Sequence, residues 1–138
     1  MKNIFALPQG IYFTKENTYA EFDDKELMVY EYTQPDYEPT MHFNTWPVAI
    51  ANYADRFDPD KFEKIERHML TDEVFVLLLG KAWLVIGKEL RKIEMEPGKI
   101  YNVNAGARHN VLLEKDSKVL IVENHNTSSE NSELCSIK

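Results

Sequence analysis

Val74-Phe75-Val76-Leu77-Leu78-Leu79-Gly80 and, directly after it, Lys81-Ala82-Trp83-Leu84-Val85-Ile86-Gly87 decide the fold class. Each is a dense β-branched and aliphatic run stopped by a glycine, the pattern of a strand. The two form a hairpin around Gly80-Lys81 or stand either side of a bend there. Downstream, Leu90 to Met95, Lys99 to Val103, His109 to Leu113 and Lys118 to Glu123 repeat the theme, with turns at Glu96-Pro97-Gly98, Asn104-Ala105-Gly106 and Lys115-Asp116. Many short strands separated by Gly, Pro and Asp turns, with no long helix between them, indicate an all-β sandwich or closed barrel. Several strands are apolar on both faces, which predicts burial inside and against a partner subunit as a homodimer.

Upstream, Ile11-Tyr12-Phe13, Tyr19 to Phe22, Leu27 to Thr33 and Val48 to Tyr53 read as strands. Gln34-Pro35-Asp36 and Glu38-Pro39-Thr40 read as breakers. Residues 57–69 admit two readings. Phe57-Asp58-Pro59-Asp60 can cap a helix with Phe62, Ile65 and Met69 on one face, or form a turn leading into a strand that ends at Met69. From Asn124 on, the chain is polar, rich in Ser and Asn and without period, and reads as a surface-running or partly disordered end. There is no internal repeat.

A length of 138 residues suits one domain. The 43% hydrophobic and 28% charged fractions are those of a globular chain, too apolar for intrinsic disorder. A net charge of −7 argues against nucleic-acid or anionic-membrane partners, which demand a cationic face. No basic stripe offsets it, and Lys88 to Lys92 reads as a solvated hairpin tip. The lone Cys135 excludes an intrachain disulfide. Met1 to Leu7 holds too few apolar residues before Pro8 for a signal peptide, and no run approaches a membrane span, so a cytoplasmic protein is expected.

Two of the four histidines stand at informative places. His68 precedes Glu73 across a turn at Leu70-Thr71-Asp72, and His109 follows Gly106-Ala107-Arg108. Residues at hairpin bases on neighbouring strands of a barrel can converge on one interior point. Two imidazoles and a carboxylate so placed form a facial triad for a divalent metal with open positions. Glu66 adds a fourth ligand, since residues 66 and 68 face the same side of a strand. Glu73 opens a wholly apolar strand, where a buried carboxylate needs a partner. The bland alternatives are a satisfied core histidine at 68, a surface hairpin residue at 73 and a solvated charge at 66. His42 and His125 read as surface residues, the aromatics as mostly core, and Arg108 as an outward ion-pair former.

The stretch from Glu66 to Gly80 resembles the first cupin motif: two histidines one residue apart, a glutamate, and a glycine after six more residues. Gly98, Asn104, Gly106 and His109 match the spacing of the second motif, with Asn104 in the proline place. The resemblance implies a cupin-type double-stranded β-helix, or jelly-roll barrel, with Glu66, His68, Glu73 and His109 as metal ligands and Glu66 and His68 as catalytic candidates. It also implies a strand over residues 61–69. The chain departs from the pattern where Glu66 replaces the first histidine, Asp60 the opening glycine and Leu113 the closing asparagine. The domain expected spans residues 1–123, with a motif-bearing core over 46–123 and a polar tail over 124–138. Zn, Mn, Fe or Ni suits two imidazoles and two carboxylates. Three functions compete: a metal-dependent small-molecule enzyme, a metal-free sugar epimerase or isomerase with His68 as base and a pocket tyrosine such as Tyr101 as acid, and a small-ligand binding module without turnover.

Overall fold

The computed structural model describes residues 18–23, 26–124 and 132–137. Its strands are β1 (Thr18–Asp23), β2 (Met28–Tyr32), β3 (Asp36–Phe43), β4 (Trp46–Asn52), β5 (Lys64–His68), β6 (Glu73–Leu79), β7 (Ala82–Ile86), β8 (Arg91–Glu94), β9 (Tyr101–Val103), β10 (His109–Leu113), β11 (Lys118–Glu123) and β12 (Ser132–Ser136). β1 and β2 pair as a separate two-stranded sheet. The others form two five-stranded sheets, ordered β12-β5-β10-β7-β8 and β3-β4-β11-β6-β9, in which all neighbours are antiparallel. This is the jelly-roll arrangement expected from the sequence. Phe75, Leu77, Leu84, Val111, Leu113, Val119 and Ile121 fill the space between the sheets, joined by Phe57, Met95 and Val103. Among the described residues, no helix is long and apolar enough to cross a membrane.

Gly80 resolves the choice between hairpin and bend in favour of the bend. β6 pairs with β9 and β11, whereas β7 pairs with β8 and β10, so the chain changes sheets at this residue. Its φ of +79° lies in the left-handed region, and a Cβ built there would stand 2.8 Å from Ser117 Cα. Ser117 Oγ accepts the Lys81 N–H at 2.9 Å across the same crossing. Glycine is required here for both conformation and space.

Three local expectations are corrected. The helix reading of residues 57–69 fails: a 3-10 turn covers Asp55–Phe57, Asp58 Oδ1 accepts the Asp60 N–H, and the strand implied by the resemblance is present but shorter than 61–69, at Lys64–His68. Strand geometry wins because Ile65 is buried outward against Val85 and Leu112, while Glu66 and His68 face the interior. Glu38-Pro39-Thr40 is no breaker but the middle of β3. Proline is tolerated because β3 is an edge strand whose register shifts between Pro39 and Met41. The tail also contains a strand: β12 pairs with β5 from Ser132↔His68 to Ser136↔Lys64. Five residues without an apolar period carried no local signal for it, and it exists through its partner. Ile11 to Phe13 lies outside the described residues.

Leu78, Leu79 and Ile100 are exposed around β6 and β9 in the single chain. The Lys88-containing run forms the turn joining β7 to β8.

Gly80→Ala should destabilise the fold by about 2–4 kcal/mol, combining left-handed strain with the clash at Ser117. Urea denaturation of the two proteins reads this; equal midpoints would mean that the sheet crossing relaxes freely.

Candidate metal centre

Alternation along β5 turns Lys64, Glu66 and His68 inward and Ile65 outward. β10 pairs with β5 through His109↔Glu66, which sets the second imidazole beside the first. Glu73 opens β6 on the opposite sheet and projects inward in phase with Phe75 and Leu77. The four side chains therefore meet across the sandwich. One ligand atom from each of Glu66, His68, Glu73 and His109 lies within 4.8 Å of all the others. His68 and His109 are only 7% and 2% exposed, so neither is a surface histidine. Glu73 is equally buried, and Glu66 is half-buried.

Hydrogen bonding shows what the cluster needs. His109 Nδ1 lies 3.0 Å from the Ala107 carbonyl, which only accepts, so Nδ1 carries the proton. In the neutral ring, Nε2 is then a bare lone pair, and it stands 2.9 Å from Glu73 Oε1. A lone pair facing a carboxylate oxygen needs a proton or a cation between them. His68 Nε2 stands 3.5 Å from both Glu73 Oε2 and Glu66 Oε1, with its Nδ1 2.8 Å from Ser132 Oγ. Phe75 presses edge-on against the His109 ring. Two imidazole nitrogens and two carboxylates gathered at this spacing suit a borderline or hard divalent ion.

The electrostatics match. Burial raises the Glu73 pKa well above the usual carboxylate range, and the neighbouring Glu123 raises it further. Burial opposes ionisation of Glu66 too, but the hydrogen bond and charge of His68 outweigh it and lower its pKa. His68 is raised: burial works against its charged form, and Glu66 and Glu73 together overcome that. A site with this much buried carboxylate is suited to hold positive charge.

The cluster lines a cavity of about 1000 Å³. Tyr37, Pro39, His42 and Pro47 from β3 and β4 form one wall, with Phe75, Val111 and Ile121 below. Arg56, paired to Asp36, and Lys64 stand at its rim. His42 is thus a half-buried cavity residue, contrary to the surface position expected; a proline-rich context hid its strand. His125 lies outside the described residues. Arg108 does not line the cavity, and instead of an outward ion pair its Nε is buried without a hydrogen-bond partner among the described residues. Tyr101 points elsewhere: its hydroxyl accepts the Glu96 N–H at 2.8 Å.

Three residues of the site escaped the sequence reading. Glu123 is the cross-strand neighbour of Glu73, and Tyr37 donates its hydroxyl to Glu123 Oε1 at 2.7 Å. Burial first, then the Glu123 charge, drives the Tyr37 pKa upward, so this phenol keeps its proton. The signal for Glu123 was available: it continues the inward phase of Val119 and Ile121, a carboxylate where an aliphatic side chain is expected. Tyr37 was masked by the adjacent Pro39, and Ser132 by its patternless surroundings.

No protein-family model and no curated protein matches the chain. Solved structures do. A cupin-2 domain protein from Shewanella frigidimarina aligns over 68% of this chain and 85% of its own, at 18% identity and a TM-score of 0.54. KdgF from Halomonas sp. aligns over 64% and 77%, at 16% identity and 0.51. The Streptomyces nucleoside dehydratase Pac13, solved with uridine, aligns over 99% and 92%, at 7% identity and 0.51. Likeness at these identities establishes architecture, and with the two motif spacings and the strand order it leads to one conclusion: this chain has the cupin-superfamily fold.

Proposed function

We propose that the protein binds a divalent metal through Glu66, His68, Glu73 and His109, takes a small polar organic ligand into the adjoining cavity, and acts on it as a metal-dependent enzyme. The observation that carries this is the lone pair of His109 Nε2 held against a buried carboxylate, with two more donor groups in reach. When bound, the ion supplies Lewis-acid polarisation of a ligand oxygen. The chain supplies the rest. Ala107 holds the His109 ring in one tautomer. Phe75, Val111 and Ile121 exclude water from the floor of the cavity and strengthen every charge interaction there. Glu123, steadied by the Tyr37 hydroxyl, is a carboxylate placed to take up or return a proton at the ligand. Small organic substrates are in keeping with the solved neighbours, one of which is a nucleoside dehydratase bound to uridine.

A second reading follows from the same 2.9 Å contact. Without a metal, Glu73 keeps its proton and donates it to His109 Nε2, and the pair with Tyr37 and Glu123 forms an acid–base site. A binding module without turnover would use the same cavity.

Elemental analysis of tag-free protein separates these readings. The expected result is about one equivalent of a first-row divalent metal, lost in His109→Ala and in Glu73→Gln. Metal at about a hundred times its Kd adds about 2.7 kcal/mol of stability, so chelation should lower Tm by roughly 10 °C. Full stability and ligand response after chelation would favour the metal-free site.

Tyr37→Phe and Glu123→Gln should keep the metal. In a screen of sugars, nucleosides and hydroxy acids by thermal shift and turnover, they should lose at least tenfold in kcat for any substrate found. Unchanged kcat in both would remove Glu123 from proton transfer.

A further inference from the structure

The two imidazoles of the cluster are held in different ways. His109 Nδ1 donates to the carbonyl of Ala107, two residues earlier in the same turn, a partner that cannot leave without unfolding the loop. His68 Nδ1 instead meets a side chain, Ser132 Oγ, at 2.8 Å and 64 residues away in sequence. Ser132 belongs to β12, the edge strand whose neighbour in the sheet is β5. The register sets Ser132 opposite His68 and Leu134 opposite Glu66, so the inward positions of β12 lie directly against two members of the cluster, and Leu134 lines the cavity.

Beyond its five-residue backbone pairing with β5, the strand's side-chain ties are modest. Arg67 pairs with Glu133, the Ile137 N–H donates to the Glu63 carbonyl at 3.0 Å, and Cys135 and Ile137 pack beside Ile65. Glu133, Leu134 and Ser136 are exposed. An edge strand with this little burial opens at a fraction of the free energy of the whole fold.

We propose that Ser132 is a positioning residue that orients the His68 ring through Nδ1 so that Nε2 faces the cluster, and that metal binding and docking of β12 are therefore thermodynamically coupled. The inference rests on the metal reading given above and adds a moving part to it. A hydroxyl can donate or accept, so it serves either tautomer; with a cation on Nε2 the ring proton would sit on Nδ1 and the hydroxyl would accept it, as the outer partner of a metal-ligating histidine does. A cation on Nε2 polarises the ring and strengthens that donor, which tightens β12. By reciprocity, docked β12 raises metal affinity by the same factor. Undocked, His68 would lose the partner that orients its ring, and the cavity would lose Leu134 from its lining.

Co(II) titrated into the purified full-length chain tests this, followed by its visible absorption and by hydrogen exchange. Ser132→Ala should weaken Co(II) binding roughly 10- to 100-fold, and Ser132→Thr, which keeps the hydroxyl, should recover most of it. In the unmutated protein, Co(II) should slow amide exchange at residues 132–136. Equal Co(II) affinity in wild type and Ser132→Ala, or exchange at 132–136 indifferent to Co(II), overturns the coupling and leaves the metal site standing. A wild type that takes up no Co(II) overturns both.

Discussion

A carboxylate buried beside the lone pair of an imidazole is unstable until something positive comes between them. That constraint governs the cavity end of this sandwich. Glu73 is placed where burial and a second carboxylate, Glu123, both oppose its ionisation, and His109 is turned by a backbone carbonyl so that it cannot offer a proton in its neutral form. Replacing the whole arrangement with aliphatic residues would make a more stable protein, as is common for buried charged groups. Its presence at one end of an otherwise apolar core marks that end as the candidate functional site.

The two ends of the barrel divide the work. At the end away from the cluster, Leu77, Leu84, Met95 and Leu113 pack between the sheets, and the backbone crosses from one sheet to the other at Gly80 with no room for a side chain. At the cavity end the walls come from segments remote in sequence: β3 and β4, the turn at Asp55–Phe57, β5, and β12. A close-packed closed end gives the donors fixed positions, while the open end can vary its lining residues without disturbing that frame.

How much of this was legible depended on whether the signal was local. β10 and β11 match their expected ranges, His109–Leu113 and Lys118–Glu123, because each is an apolar run between turn residues. The four members of the cluster were likewise within reach, since motif spacing encodes which residues face inward at adjoining strand ends. What failed to show was anything dependent on a distant partner. Pro39 is a breaker in isolation and acceptable in β3, where a register shift and an edge position absorb the lost donor. Ser132 to Ser136 has no pattern of its own and becomes a strand against β5. The split of β6 and β7 between two sheets was visible only as an ambiguity at Gly80, because sequence spacing sets strand lengths, not which strand each one joins.

The pairings that gather the cluster also set its timing. Ser132 and His68 are 64 residues apart, Glu73 and His109 are 36 apart, and the Lys118–Asn52 contact that ties β11 to β4 spans 66. Sheets dominated by such distant contacts close large loops before they gain much contact, and chains of this kind fold in milliseconds to seconds instead of microseconds. The cluster exists only where β5, β6 and β10 are all in register, so its four donor groups belong to the completed fold and to no single segment of it.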